Sequence, residues 1–285
     1  MRHVRAHIFS RIFMVSFMGI LSGLLSVNAN DDYKASDAVI YYSKNQSFDK
    51  FITWTNEKQR IVEEIFKLVV DKKDSLLDIG AGDGSITSLL APKFDHITAV
   101  EPSLLLFETL KKRCASNKYS LINQPFELVT SEKKFDLILV SFALQYISNL
   151  SEEIVRMKDL LKDSGILLVI EPDQEHCELL DLFHNKYGKE VLGTNFSGPI
   201  AHTNAFGDLL RKTFNVKEVH FTATLSIPSV DDAISIFDFI YDTDPSKMNN
   251  EAIAKIRTEL YKEYGNKPLI FNNKEVIYIC SKKFD

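Results

Sequence analysis

The segment from Leu76 to Thr87, LLDIGAGDGSIT, has three glycines at alternate positions between an apolar run and a segment of helical pattern. In a parallel sheet, a loop between the carboxyl end of a strand and a helix N-terminus is where ligands bind. Glycine has no Cβ, so the backbone at Gly80, Gly82 and Gly84 can turn tightly and approach a ligand closely. The segment predicts a loop that binds a nucleotide or nucleoside, with a purely architectural turn as the alternative.

The spacing of this loop favours one ligand over another. A dinucleotide-binding loop reads GxGxxG, whereas here Asp78 precedes glycines spaced by two, and Glu101 ends the next apolar run in AVEPS. A carboxylate at Glu101 can accept hydrogen bonds from both hydroxyls of a ribose. Asp78 and the loop carbonyls would attract an ammonium group. Because a ribose and an amino acid together describe S-adenosylmethionine, this is the predicted cofactor, and NAD is the second candidate.

Short apolar runs alternate with segments of helical pattern through the middle of the chain. The predicted strands are Ser75–Ile79, His96–Val100, Phe135–Val140 and Gly165–Ile170, and the predicted helices between them include Ser103–Ser116 and Ser151–Lys162, with Ser151 as N-cap. Buried strands that alternate with helices imply an α/β fold with a parallel sheet covered on both faces.

The two ends of the folded region depart from this alternation. Residues Phe48–Val70 predict one amphipathic helix, and Asn215–Leu225 and Glu275–Ser281 predict two strands late in the chain. The residues between these strands, about 226–268, have a mainly helical pattern. We therefore expect a helical cap inserted before the last strand, within one domain over residues 30–285.

The first 29 residues have a different composition. A basic start, a 14-residue apolar run from Ile12 to Leu25 and a small-residue ending at Ala29 are typical of a secretory signal peptide. At about 1.5 Å per residue such a run is shorter than a hydrocarbon core of roughly 30 Å. The pattern predicts export after cleavage, and the alternative is an uncleaved anchor with the domain facing the cytosol.

Charge and cysteine content narrow the classes of partner. The formal net charge is −5, and the basic leader makes the remainder more acidic still, which argues against nucleic acid as a partner. The three cysteines are widely spaced without a CxxC pair, so neither a disulfide framework nor a metal site is predicted. We expect a monomer that touches a membrane only through an uncleaved leader.

The loop, the second acid and the alternation resemble the seven-stranded, Rossmann-like methyltransferases of class I, which use S-adenosylmethionine. The resemblance covers Ser75–Glu171 and the antiparallel tail. It implies that the glycine loop wraps the methionine part of the cofactor, that Glu101 binds the ribose, and that segments after the third and fourth strands line the adenine and the sulfonium. The implied cofactor-binding residues are Asp78, Gly80, Ala81, Gly82, Gly84, Glu101, Ser103, Gln124 and Ser141.

Outside this core the chain is similar to the histamine N-methyltransferase family, through SFDKFITWTNEKQ, AVEPS, HNKYG and LIFNN in this order. The resemblance implies that Glu57 and Asn273 hold the polar ends of a substrate, and that Tyr146 lines the pocket. A turn role for Asn273, before the final strand, stays open. The family has a glutamine where this chain has Phe142, which suggests a bulkier or more apolar amine than histamine.

The predicted activity is N-methylation of a small imidazole-like or aryl amine. Aromatic side chains at Trp54, Phe142, Tyr146, Phe237 and Phe239 are candidate pocket walls, with packing in the cap as the other role of the last two. Two alternatives remain: an O- or C-methyltransferase of a lipid, quinone or natural product, and an exported protein that binds S-adenosylmethionine without turnover.

Overall fold

The computed structural model describes residues 46–193, 205–241 and 245–283, so the predicted leader and the residues that follow it, up to 45, lie outside the described part. The strands are β1 (Lys73–Ile79), β2 (Phe94–Val100), β3 (Tyr119–Ile122), β4 (Phe135–Ser141), β5 (Leu161–Cys177), β6 (Phe214–Ile227) and β7 (Leu269–Lys282). They form one seven-stranded sheet in the order β3-β2-β1-β4-β5-β7-β6. Strands β1 to β5 pair in parallel, and β7 runs antiparallel to both of its neighbours. The predicted fold class is confirmed.

Helices connect the strands and cover the sheet. They are α1 (Gln46–Trp54), α2 (Glu57–Leu68), α3 (Ser85–Leu90), α4 (Leu104–Arg113), α5 (Leu150–Leu160), α6 (Glu178–Leu180), α7 (Gly188–Leu192), α8 (Ala205–Thr213), α9 (Val230–Ile234), α10 (Phe237–Ile240) and α11 (Asn250–Tyr264). A π-helical segment, Asp181–Tyr187, joins α6 to α7. In the described part of the chain, no helix combines the length and the apolar character that a membrane crossing requires.

The sheet is buried on both faces because its strands are apolar at almost every position. One face packs against α5 and α8, whose Ile154, Met157 and Leu210 are at most 1% exposed. The other face packs against α2 and α3. Each fully buried aliphatic side chain stabilises the fold by roughly 1.5–3 kcal/mol relative to an exposed one. The apolar strands thus hold their carboxyl ends in a fixed row, and the glycine loop lies at this edge.

A third apolar cluster forms the cap. Helices α9, α10 and α11 lie between β6 and β7 in sequence, as predicted, and pack with the π-helical segment and with α1. Phe237 and Phe239 are only 2% and 6% exposed, and the rings of Phe51 and Phe239 lie 4.9 Å apart. These two cap phenylalanines are therefore packing residues rather than open pocket walls.

The helix predicted over Phe48–Val70 is in fact two helices. The chain breaks at Thr55 and Asn56, where Thr55 bridges Leu225 of β6 and the Asn56 backbone N–H donates to the Thr224 carbonyl at 3.1 Å. The Asn56 side chain also accepts from the Thr224 N–H at 2.8 Å. Because helical spacing of the apolar residues continues across the break, the sequence pattern could not show it.

Further boundaries differ from the sequence prediction, and β5 is longer than the predicted strand Gly165–Ile170, since it runs from Leu161 to Cys177 and so includes the predicted helix end at Lys162. Helix α5 begins at Leu150 after Asn149, so Ser151 lies inside the first turn and is not the N-cap. Strand β7 begins at Leu269 and not at Glu275, which puts Asn273 within the strand and excludes the alternative turn role. Strand β7 is longer than predicted because it pairs with β6 along its whole length, and this pairing joins residues that are far apart in sequence.

Candidate functional site

The three glycines of the loop all have left-handed backbones, with φ of 73°, 58° and 75° at Gly80, Gly82 and Gly84. A Cβ at Gly80 would lie 2.4 Å from the Ala143 Cβ, and one at Gly84 would lie 2.6 Å from Leu110 Cδ1. A Cβ at Gly82 would meet no atom within 4 Å. Two of the glycines are thus required by packing against neighbouring segments, while the middle one lies where a ligand can approach the backbone.

The carboxylate of Glu101 holds this loop against the end of β2. Glu101 Oε2 accepts from the Gly82 N–H at 2.8 Å, and Oε1 accepts from the Ser103 N–H at 2.7 Å. The Ala81 N–H donates to the Val100 carbonyl at 3.0 Å. Since each carboxylate oxygen can accept more than one hydrogen bond, both still have capacity for a ribose hydroxyl. The predicted role of Glu101 fits this geometry.

Glu101 is 5% exposed, and its burial raises its pKa to about 7. The N–H groups of Ser103 and Gly82 oppose that shift, whereas the negative charges of Asp78 and Asp83 add to it. A carboxylate in this state gains from additional hydrogen-bond donors, because donors favour the charged form. The hydroxyls of a bound ribose would supply such donors.

Asp78 is buried at the end of β1, with 2% exposure. The Thr87 hydroxyl of α3 donates to its Oδ2 at 2.6 Å. Burial raises the pKa of Asp78 to about 6, and the Thr87 hydrogen bond opposes the rise. The attraction of an ammonium group to Asp78 stays a prediction. The hydrogen bond from Thr87 shows that Asp78 also holds α3, the helix after the loop, in place.

The segments predicted to line the adenine and the sulfonium lie at the same edge of the sheet. Gln124 is half-buried in the turn after β3, where the neighbouring Asn123 Nδ2 donates to the Glu101 carbonyl at 2.8 Å. Ser103 caps α4 by accepting from the Leu106 N–H at 3.5 Å. Ser141 ends β4, and its buried hydroxyl has no hydrogen-bond partner among the described residues.

Phe142, directly after β4, has a left-handed backbone with φ of 53°. Its N–H donates to the Ile170 carbonyl at 2.9 Å, and its carbonyl accepts from Gln145 Nε2 at 3.1 Å. Such a conformation costs about 1–3 kcal/mol for a residue with a side chain, and strained residues of this kind cluster at functional sites. Tyr146 follows in a short 3-10 turn and is half-buried. The structure therefore brings both predicted pocket residues to the carboxyl end of β4.

A charged clamp, formed by Lys58, Asp83 and Arg113, holds the glycine loop from outside and was missed in the sequence. Lys58 of α2 and Arg113 of α4 contact the Asp83 carboxylate at 3.1 Å and 2.7 Å. Although partial burial of Asp83 would raise its pKa, the charge of Lys58 and hydrogen bonds from Arg113 and Ser85 lower it well below the usual range. A charged residue inside a glycine loop was the available signal, but its partners are distant in sequence.

Glu57 and Asn273 approach the same edge from different elements. Glu57 begins α2 and is half-buried, and burial raises its pKa to about 7 against the opposing charge of Lys58. Asn273 lies in β7, and its Oδ1 accepts from Cys177 Sγ at 3.3 Å and from the Leu179 N–H at 3.5 Å. One of the two polar groups of Asn273 thus already bonds to the protein.

Two buried acids at this edge were not identified from the sequence as site residues. Glu171 and Glu275 are each 4% exposed. Burial raises the pKa of Glu171 to about 8, and the nearby Leu144 N–H, whose geometry falls short of a hydrogen bond to either carboxyl oxygen, opposes this only slightly. Burial also raises the pKa of Glu275 well above its ordinary value. Like Glu101, Glu171 directly follows the apolar run of a strand, so its position was a recognisable signal.

Metal ligands were not predicted, and the described residues contain no group of three or more His, Cys, Asp or Glu side chains that could hold a metal ion. The three cysteines, Cys114, Cys177 and Cys280, are all buried and free.

This strand order, with a glycine loop after β1 and an acid after β2, defines the S-adenosylmethionine-dependent methyltransferases of Rossmann-like fold. Residues 51–206, more than half of the chain, match a family model described as a methyltransferase domain. The chain belongs to this family. S-adenosylmethionine is accordingly its cofactor, which the loop and Glu101 fit.

Curated relatives match part of the chain. Malonyl-[acyl-carrier protein] O-methyltransferase of Priestia megaterium is 31% identical over 111 residues, which cover 38% of this chain and 40% of the relative. Trans-aconitate 2-methyltransferase of Enterobacter sp. (strain 638) is 28% identical over 166 residues, 57% of this chain and 65% of the relative. The chain spans less than half the length of the first curated relatives that it matches, from 40% to 49%.

Solved structures agree in fold. A protein from Bacillus halodurans C-125, described as a methyltransferase, superposes with a TM-score of 0.54 at 16% identity. The match covers 78% of this chain and 99% of the other. At this identity the similarity concerns the fold alone, and the resemblance to histamine N-methyltransferases is not among these findings.

The packing of the glycine loop makes a prediction about two substitutions. Gly80→Ala would force a Cβ against Ala143 at 2.4 Å on a left-handed backbone, so it should weaken S-adenosylmethionine binding at least tenfold and lower the melting temperature. Gly82→Ala meets no protein atom within 4 Å and should lower stability less while still impairing binding. Calorimetric titration and thermal unfolding measure both effects. Equal melting temperatures for the two variants would contradict this account.

The buried carboxyl of Glu171 predicts a stability that falls with pH. Its pKa of about 8 in the folded chain lies above the ordinary value of 4.5, so the folded state holds a proton that the unfolded state loses between these pH values. Stability from this group is full below pH 4.5 and is lost as pH rises through 8. Glu171→Gln should therefore unfold like wild type at pH 5 and be more stable by about 2–4 kcal/mol at pH 8.

Urea unfolding at the two pH values measures this difference. Glu152→Gln is the matched control, because it makes the same chemical change at an exposed position of α5. A Glu171→Gln variant that is less stable than wild type at pH 8 would show that the carboxylate has a stabilising partner.

Proposed function

We propose that this protein is an S-adenosylmethionine-dependent methyltransferase that N-methylates a small imidazole-like or aryl amine. The main support for methyltransferase activity is that the Glu101 carboxylate accepts hydrogen bonds from two backbone N–H groups, those of Gly82 at 2.8 Å and Ser103 at 2.7 Å. This arrangement presents a carboxylate and an open glycine backbone side by side, as a ribose joined to an amino acid requires.

The protein has little covalent chemistry to perform. S-adenosylmethionine would supply, when bound, a methyl group activated by a positively charged sulfur for transfer to a neutral nitrogen lone pair of the acceptor. The residues of this chain align the acceptor and exclude water. Ser141, Phe142 and Tyr146 at the end of β4 are positioned for this task, since they lie beside the glycine loop through the contact of Gly80 with Ala143.

The amine part rests on the acids of the site and on the similarity around Glu57 and Asn273. Carboxyl groups at Glu57, Glu171 and Glu275 make this edge suited to a positively charged or protonatable acceptor. The matching segments of the relatives cover 38% and 57% of this chain, so their named acceptors say little about this pocket. Phe142 in place of a polar residue supports an amine with a larger apolar body than histamine.

Cofactor binding tests the methyltransferase part. Titration of the full chain with S-adenosylmethionine should give micromolar affinity, and Glu101→Ala should weaken it by about tenfold to hundredfold, because hydrogen bonds to a charged acceptor contribute about 1.5–3 kcal/mol each. Glu152→Gln, an exposed carboxyl on α5, should bind like wild type. A folded wild type without measurable affinity would end the proposal.

Glu57 is expected to act on the acceptor and not on the cofactor. Glu57→Gln keeps the shape of the side chain and removes its charge, so it should raise the KM for an amine about tenfold and leave the affinity for S-adenosylmethionine unchanged. Steady-state methylation of a panel of arylalkylamines, with Glu152→Gln as control, measures the change. An unchanged KM would remove Glu57 from the site.

A further inference from the structure

Unpaired buried oxygens collect at one edge of the sheet. Among the described residues, the buried side-chain oxygens without a hydrogen-bond partner belong to Ser141, Gln145, Glu171 and Glu275. Ser141 ends β4 and Gln145 lies in the turn after it, Glu171 lies within β5 next to Ile170, the partner of Ser141, and Glu275 lies on β7 opposite Pro172. Because more than nine in ten buried polar groups in proteins are paired, such a collection indicates a ligand that supplies donors.

Glu275 is the member of this set that the negative charge of Glu57 affects. It lies opposite Pro172 of β5 and Phe221 of β6, and alternate side chains of a strand share a face, so Glu275 shares a face with Asn273. This is the face covered by α2. The bonds of Asn56 to Thr224 fix the start of α2 against β6 and bring Glu57 to that face.

The charges around Glu275 are all of one sign. After burial, the negative charges of Glu57, Glu171 and Asp173 each raise the pKa of Glu275. Two basic side chains lie nearby, and each has another acidic partner. Lys58 lowers the pKa of Glu57, but its ammonium group is paired with Asp83 at 3.1 Å. His220 pairs with Asp173 at 3.2 Å.

In the part of the chain that the structure describes, no Lys, Arg or His forms an ion pair with Glu57, Glu171 or Glu275. An ionised carboxylate that is buried without a partner is strongly unfavourable, and neighbouring carboxyls then share a proton. The pair formed by Glu57 and Glu275 lacks what a cation would provide, namely positive charge and hydrogen-bond donors.

We propose that Glu57 and Glu275 together form a two-carboxylate anchor for a cationic group of the methyl acceptor, an ammonium or imidazolium. This inference rests on the proposed methyl transfer and adds to it a second acid, supplied by the last strand. Glu275 Oε2 is buried without a partner, and Glu171 lies on the adjacent strand opposite Val276, on the other face of the sheet. The anchor selects acceptors by charge, while the aromatic residues after β4 contact their apolar part.

Calorimetric titration of the full chain with S-adenosylhomocysteine bound tests the anchor. The probes are histamine and a pair of equal shape, 2-phenylethylamine and 2-phenylethanol. Wild type should bind 2-phenylethylamine at least tenfold more tightly than the alcohol. Glu275→Gln should reduce the affinity for both amines about tenfold and leave that for the alcohol unchanged. Glu152→Gln should behave as wild type.

Proton release separates this role from a purely structural one. If the two carboxyls share a proton, a cation that binds near neutral pH displaces it, so the measured enthalpy should differ between phosphate and Tris buffers. Glu275→Gln should abolish this difference, because a single carboxylate then faces the cation. Besides Glu57 and Glu275 themselves, the charged or ionisable side chains near this pair are Glu171, Asp173, His220 and Lys58.

Several results would overturn the anchor. They are unchanged amine affinity in Glu275→Gln, equal affinity of wild type for the amine and the alcohol, absence of amine binding at millimolar concentration, or Mg²⁺ binding abolished by the same substitution. Each leaves the methyl-transfer proposal intact as long as S-adenosylmethionine binds and Glu101→Ala weakens it. Thermal unfolding shows whether Glu275→Gln folds. If it does not, Glu57→Gln takes its place in every measurement, because Glu57 is only half-buried.

Discussion

Two backbone N–H groups from different loops converge on one carboxylate, and the rest of the site depends on this convergence. Glu101 joins the loop after β1, through Gly82, to the start of α4, through Ser103. At Gly82 itself no side-chain packing holds the loop, since a Cβ there would contact nothing. The apolar strands bring Glu101 to the edge of the sheet, and its charge then fixes the backbone that a cofactor approaches.

The acids at this edge show how function opposes stability in this fold. Asp78, Glu101, Glu171 and Glu275 are all at least 95% buried, and burial raises the pKa of each. Asp78 and Glu101 have internal donors, whereas Glu171 and the Oε2 atom of Glu275 lack hydrogen-bond partners among the described residues. A chain selected only for stability would replace the second pair with apolar residues. The ligand proposed above would compensate them by supplying hydrogen-bond donors.

Local patterns predicted the cofactor half of the molecule and left out most of the acceptor half. The apolar runs ending at Ile79 and Val100 fixed the positions of the glycine loop and Glu101, because a strand, a tight loop and a helix follow one another directly in sequence. The break at Asn56, the extension of β7 past Asn273 and the clamp of Lys58 on Asp83 join residues far apart in sequence. Periodicity does not report such pairings, and so Glu275 was not identified as a site residue.

Adjacent residues at the start of α2 serve the two halves of the site. Lys58 contacts Asp83 in the glycine loop at 3.1 Å, while Glu57 lies near Glu275 on the acceptor side. Their common turn is fastened to β6 through Asn56. A displacement of this turn by either ligand must therefore alter the surroundings of the other. Thermodynamic reciprocity then requires that each ligand change the affinity of the other by the same factor. One turn of one helix is thus the connection through which the affinities for donor and acceptor can depend on each other.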